Sequence, residues 1–262
     1  MKTCIPILMY HQVTPHPPPA LRKYVVTPKA FAAQMNWLAL TGYVPITLDI
    51  LLAHRTGGCP LTSRPIVITF DDGFQDCVEH AVPILRARGF TAIFYLVAGL
   101  VGKTSRWLLS ERGIELPLMD WAAARRLEAA GFHCGSHTMS HPHLADISPA
   151  ACHDELLRSR CLLEDRLGHE VRHLAYPFGS FNERVRALAA ETGYRSASSV
   201  RIGLSPPEDD SLALHRVLVT GQDSLLDFIC RLHTARGMGE MLYGTAQDAW
   251  RRLRAIGAHT IS

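Results

Sequence analysis

The chain has no C-x-x-C pair, no G-x-G-x-x-G loop, no basic run interleaved with aromatics, and no apolar stretch near the roughly 20 residues a membrane-spanning helix needs. Each absence removes a class. The seven cysteines, Cys4, Cys59, Cys77, Cys134, Cys152, Cys161 and Cys230, are odd in number and scattered. They read as reduced core thiols, and with them a cytoplasmic location is expected. A net charge of +3 without a lysine or arginine run interleaved with aromatics argues against nucleic acid as a partner. Without a glycine-rich loop after the early strands, a dinucleotide-binding fold loses ground. The first apolar run, residues 4–10, contains Pro6, lacks a small-residue cleavage site and stops at His11, so it reads as a buried strand and not as a secretion signal.

What the chain does have is 262 residues, 47% of them hydrophobic, enough for one large α/β domain or two small ones. One local unit recurs: an amphipathic stretch ends in glycine plus an aromatic, and an apolar run follows. It appears at Gly42-Tyr43, Gly89-Phe90, Gly131-Phe132 and Gly193-Tyr194. Glycine just past a helix end adopts the left-handed conformation cheaply, so each copy marks a helix running into a strand. Helix starts are predicted at Thr27-Pro28, Asp120, Ser148-Pro149 and Asn182. Strands are predicted at 5–10, 66–70, 92–97, 132–136, 171–176, 195–199 and 214–219. Alternation of strands with helices implies parallel pairing.

Seven such strands fit either an open doubly wound sheet or a single-domain distorted or incomplete (β/α) barrel, and the barrel makes the sharper forecast. Its chemistry collects at the C-terminal ends of strands. The predicted strands end at His11, at Asp71 and Asp72, at His137, and at Pro177-Phe178-Gly179. Residues 17–19 and 204–211 read as loops and 101–118 as a longer insertion. The domain is expected to span 1–222, with 223–262 a helical extension packed on it through helices near 224–236 and 246–256. Trp250 and Leu253 would seat the second helix. Arg251, Arg252 and Arg254 would face water, with peripheral contact to a membrane surface as the alternative.

The stretch T-F-D-D-G-F, Thr69 to Phe74, ends an apolar strand on two adjacent carboxylates. Like charges raise each other's cost of ionisation, and a divalent metal relieves it by taking one carboxylate as ligand and acidifying a water for the other to deprotonate. Ser136 to His141, S-H-T-M-S-H, offers His137 and His141 at H-x-x-x-H spacing, able to grip one ion from a helical turn. The motif lacks the glutamate of H-E-x-x-H, which leaves Asp71 available as base. His143 is expected to pack or face solvent.

T-F-D-D-G, S-H-T-M-S-H-P-H-L and A-Y-P-F-G-S-F-N resemble, in order, the motifs of the polysaccharide deacetylases, the NodB homology domain or carbohydrate esterase family four. P-I-L-M-Y-H and V-T-P-K-A-F-A-A-Q-M resemble the branch holding the poly-N-acetylglucosamine deacetylases. The resemblance covers about residues 5–219. It implies that Asp72, His137 and His141 hold a divalent metal, usually zinc, with cobalt or nickel as alternatives. It further implies that Asp71 is the general base and that a backbone N–H of the Tyr176-Pro177-Phe178-Gly179 turn, that of Phe178, donates to the oxyanion. Tyr176, Pro177, Gly179 and Arg216 would meet the substrate. The late motif reads L-H-R-V, Leu214 to Val217, with its histidine one place off the common pattern. The resemblance to the branch with the N-terminal Y-H, where that histidine takes the role, implies that His11 is the acid, with His215 in reserve. Ala175 stands where many relatives carry an arginine beside the base, and whether Arg216 substitutes is left open.

The reaction implied is metal-dependent N-deacetylation of a GlcNAc-type oligosaccharide, polysaccharide or lipid-linked precursor. A hydrolase of a non-sugar amide or O-acyl ester, and a non-catalytic glycan-binding protein, are the alternatives. Acceptor glycan and oligomeric state stay open.

Overall fold

Thr27, Asp120, Ser148 and Asn182 each accept a hydrogen bond from the backbone N–H three residues on, at Ala30, Ala123, Ala151 and Val185. These caps satisfy donors that a helix start leaves unpaired. At the other ends Gly42, Gly89, Gly131 and Gly193 all have positive φ. The computed structural model of the chain describes residues 4–238. Within them the helices are α1 (Pro28–Leu40), α2 (Leu48–Arg55), α3 (Val82–Arg86), α4 (Arg106–Arg112), α5 (Trp121–Ala129), α6 (Pro149–Leu167), α7 (Glu183–Glu191) and α8 (Leu225–Thr234). The sequence pattern did not show α2 or α4, and of α3 it marked only the end, at Gly89.

The strands are β1 (Ile7–Tyr10), β2 (Gln12–Val13), β3 (Val25–Val26), β4 (Val44–Pro45), β5 (Pro65–Phe70), β6 (Ile93–Leu96), β7 (His133–Ser136), β8 (His173–Ala175), β9 (Ser196–Ile202) and β10 (Leu214–Leu218). Each of the seven predicted strands is present. β1 pairs in parallel with both β10 and β5, and the remaining neighbours run β10-β9-β8-β7-β6-β5. The barrel is therefore closed on seven parallel strands, not incomplete. β4 adds an eighth strand along the start of β5, at Pro65 and Ile66, before β6 takes over that edge at Thr69 and Phe70. Beside the barrel, β2 and β3 form a two-residue ladder.

Side-chain alternation along each strand divides the core. Ile7, Val67, Ile93, Tyr95, Ala175 and Leu214 pack together. Their neighbours Leu8, Tyr10, Ile68, Phe70, Phe94 and Leu96 belong to a second cluster shared with the helices. Phe70 stacks on Phe94 at 4.7 Å and on Tyr10 at 5.4 Å. The same alternation puts Thr69 and Asp71 in register with Val67, and Arg216 in register with Leu214. Continuing two residues at a time from a packed interior thus arrives at the charged residues at the barrel mouth. Phe228 and Leu232 of α8 join the helix-side cluster. The helix expected at 246–256, with Trp250, Leu253 and its arginines, lies outside the described residues. Among the described residues no helix is long and apolar enough to cross a membrane.

Candidate active site

β5 delivers Asp71 and Asp72 into different surroundings. Asp71 is 3% exposed and is held by both terminal nitrogens of Arg216, Nη1 to Oδ1 and Nη2 to Oδ2, each at 2.7 Å. Arg216 has no exposed surface and donates further to Ser199 O at 2.8 Å and Thr69 Oγ1 at 3.1 Å. Burial alone pushes the Asp71 carboxyl up, but the Arg216 guanidinium outweighs it and holds the group below the usual carboxylate range. The arginine missing at Ala175 is thus replaced across the barrel. Arg216 does not line the cavity, so its expected contact with substrate gives way to a contact with Asp71.

Asp72 turns aside, because φ of 75° carries it out of the strand. Its Oδ1 lies 3.4 Å from His137 Nε2 and 3.2 Å from His141 Nε2, and the three candidate ligand atoms lie within 4.8 Å of one another. All three residues are buried. His137 Nδ1 sits 2.7 Å from the carbonyl oxygen of Ala175. A carbonyl only accepts, so the neutral ring carries its proton on Nδ1 and turns a lone pair at Nε2 toward another acceptor, the Asp72 carboxylate. Acceptor facing acceptor at that distance is relieved by a cation bound between them or by a second proton on the ring, toward which, against burial, the Asp72 hydrogen bond and the charges of Asp71 and Asp72 raise the imidazole. Burial drives the Asp72 carboxyl up, yet the two imidazoles hold it far below its ordinary value; burial holds His141 below its own. The donor set, two imidazole nitrogens and one carboxylate oxygen with a backbone carbonyl behind His137, fits a divalent transition metal.

The imidazole pair does not stand on a helical turn. Thr138 and His141 have φ of 66° and 68°, and the Thr138 hydroxyl accepts from His141 N at 3.1 Å. The loop is irregular. His141 lies between Trp107, stacked at 4.3 Å, and Phe178, edge-on at 4.5 Å. His143 is half exposed and stacks on Phe178 at 4.0 Å, outside the Asp72, His137, His141 cluster.

These groups floor a cavity of about 320 Å³. His11, just beyond β1, lines it, and its Nδ1 is buried without a partner. Its ring lies close enough to Asp71 and Asp72 to favour their ionised forms. Tyr176 and Phe178 also line the cavity, while Pro177 and Gly179 shape the turn beneath. Phe178 and Gly179 have φ of 56° and 66°, and a Cβ at Gly179 would fall 2.1 Å from Val200 Cγ2. Only glycine fits there. His215 is not brought in. One place from Arg216, it points to the other face of β10, where Nδ1 meets Asp209 Oδ1 at 2.8 Å.

Several lining residues escaped the sequence reading: Leu21 and Tyr24 from the loop before β3, Trp107, Glu111 and Arg112 from α4, and Val200 and Ile202 from β9. The insertion at 101–118 was the only sign of α4. Beneath His11, Gln12 Nε2 donates to Asp76 Oδ2 at 2.8 Å, and burial pushes the Asp76 carboxyl up to about 7. All seven cysteines are free.

Two carboxylates thus stand at the mouth of a parallel (β/α) barrel, Asp72 in a metal-type triad and Asp71 held by an arginine, an arrangement suited to metal-assisted hydrolysis. The family model of polysaccharide deacetylases matches residues 59–197, just over half of the chain, and the chain belongs to that family. It is 28% identical over 216 residues to YxkH of Bacillus subtilis (strain 168), covering 82% of this chain and 71% of that protein. To the poly-beta-1,6-N-acetyl-D-glucosamine N-deacetylase of Staphylococcus epidermidis it is 22% identical, covering 76% and 70%. Among solved structures, Streptococcus pyogenes deacetylase PplD superposes with a TM-score of 0.78 at 22% identity over 89% of this chain and all of that one. IcaB from Ammonifex degensii gives 0.72 at 25% identity, over 83% and 92%.

Proposed function

We propose that the chain removes the acetyl group from an N-acetylated, GlcNAc-type sugar, yielding acetate and a free amine. The observation that carries this reading is the pairing of two differently treated carboxylates on one cavity floor. Asp71 is ionised by Arg216, and Asp72 shares its oxygen with two imidazoles in a cluster that could hold a divalent cation. The poly-beta-1,6-N-acetyl-D-glucosamine N-deacetylase activity named for a relative supports the substrate class.

A divalent cation held by Asp72, His137 and His141 would polarise the acetamide carbonyl and acidify the attacking water. Asp71, already ionised, takes the proton from that water, and Arg216 keeps it ionised and oriented for the transfer. The left-handed turn at Phe178 and Gly179 supports the role of the Phe178 N–H as donor to the oxygen that gains charge. His11 gives a proton to the departing sugar amine. It lines the same cavity as Asp71, whereas His215 does not.

Acetate release from N-acetylglucosamine oligomers tests the reading. Activity should vanish on chelation and return with zinc. No release from any N-acetylated sugar would reject it, and release from simple esters or non-sugar amides alone would move it to those substrates. For the acid, His11→Ala should abolish most turnover and His215→Ala should spare it; the reverse pattern would transfer the role to His215.

A further inference from the structure

The loop that presents the two imidazoles is held in an unfavourable backbone form by contacts from outside it. Thr138 and His141, neither of them glycine, both occupy the left-handed region, so the loop does not choose this shape unaided. Its carbonyls are taken up on one side: Ala98 N donates to Thr138 O at 3.0 Å and Gly99 N to Met139 O at 2.9 Å. The approach there is so close that a Cβ on Gly99 would lie 2.6 Å from Met139 O. The N–H groups point the opposite way, toward α6, where Glu155 meets them. Glu155 Oε2 accepts from Met139 N and Ser140 N, both at 2.9 Å, and Oε1 accepts from Ser140 Oγ at 2.6 Å. One carboxylate on a 19-residue helix thus takes up three of the donors between the metal-type histidines, while Thr138 N donates to Ser136 Oγ at 3.2 Å.

We propose that Glu155 is a positioning residue that sets the metal affinity of the site, by pinning the residues between His137 and His141 so that both Nε2 atoms converge on Asp72. This rests on the reading that Asp72, His137 and His141 hold a divalent cation. Glu155 itself lies outside that triad. Free of this anchor, Thr138 and His141 relax from the left-handed form, and His141, whose Nδ1 has no partner of its own, loses its orientation. His137 is fixed independently by Ala175 O, so the loss falls on one ligand of the three.

The test is the zinc dissociation constant of the full chain, measured by competition with a chromophoric chelator, with circular dichroism of the metal-free protein as the check on folding. Supporting groups behind metal ligands typically change affinity about 10–100-fold. Glu155→Ala should weaken zinc binding by that factor. Glu155→Gln should stay within about threefold of the parent, because its amide oxygen still accepts from two N–H groups and its NH₂ still reaches Ser140 Oγ. Ser140→Ala, which removes one of the three bonds, should fall between, and together with Glu155→Gln it carries the test if Glu155→Ala does not fold. Failure of the parent chain to bind zinc rejects the metal reading itself. Unchanged affinity in Glu155→Ala and Ser140→Ala, with a binding parent, overturns the positioning role. Equal loss in Glu155→Gln and Glu155→Ala overturns it too, since charge and not hydrogen bonding would then be responsible.

Discussion

The two ends of the barrel hold the same residue types and use them differently. At the base, His173 Nδ1 meets Ser196 Oγ at 2.8 Å and its Nε2 meets Asp49 Oδ2 at 3.4 Å. At the mouth, His137 Nδ1 meets a carbonyl oxygen and its Nε2 meets the Asp72 carboxylate at 3.4 Å. The distances from Nε2 to carboxylate are alike, but the partner on the far nitrogen differs. A serine hydroxyl can donate to Nδ1, which leaves the ring proton on Nε2 to satisfy Asp49. A carbonyl cannot donate, so at the mouth a neutral ring keeps its proton on Nδ1 and leaves Nε2 free to bind a proton or a metal. Space follows the same division. The base encloses about 10 Å³ and the mouth about 320 Å³. A histidine beside a carboxylate is a structural pair at one end and a metal-type site at the other, and the difference is one atom's ability to give a proton.

Three substitutions sharpen or break this contrast. The largest effect is expected for Asp71→Asn, which keeps shape but removes the proposed base: turnover should fall about 10²–10⁴-fold while zinc stays bound. Loss of zinc, seen by metal analysis, would break the division of labour between the two aspartates.

Arg216→Met comes next. It strands a buried carboxylate, and removing one partner of such a pair costs about 3–5 kcal/mol in denaturant unfolding. The sign of the pH effect follows from the Asp71 carboxyl being held low by Arg216. In the parent this contributes stability that is present above the ordinary carboxylate pKa and lost as pH falls through the lowered one. In the variant the strongest opponent of burial is gone, leaving only the charges of His137 and His11, so the carboxyl rises and the acid limb of the pH–rate profile should move to higher pH. An unmoved limb would separate Arg216 from the base.

The smallest effect belongs to the base of the barrel. Hydrogen bonding to His173 pulls the Asp49 carboxyl down to about 2. Its side chain is 49% exposed, so solvent screening leaves Asp49→Ala a cost of less than about 1 kcal/mol. That cost should be present above about pH 4 and disappear as pH falls through about 2, with turnover unchanged. A large drop in activity would show that the two ends are coupled.

Short-range features of the chain were readable without coordinates. Ser148-Pro149 and Gly168 bracket α6, and the four glycine–aromatic pairs mark helix ends, because caps and left-handed glycines act over a few residues. T-F-D-D-G and the two histidines were legible as one metal-type set for the same reason, each lying at the end of a predicted strand. The geometry of the histidine loop was not: H-x-x-x-H spacing suits a helical turn, and only the contacts from Ala98, Gly99 and Glu155 impose another shape.

The seven barrel strands, their alternation with helices and the residues at their ends were determined by the sequence alone, since each depends on periodicity and turn chemistry within a single unit. Tertiary structure decided which of two neighbours, His215 or Arg216, faces the cavity side of β10, because shifting a strand by one residue exchanges its faces. It also decided that Arg216 would ionise Asp71 from 145 residues away, and that β1 would meet β10 to close the ring. Those outcomes rest on pairings between distant segments, and nothing local to either partner encodes them.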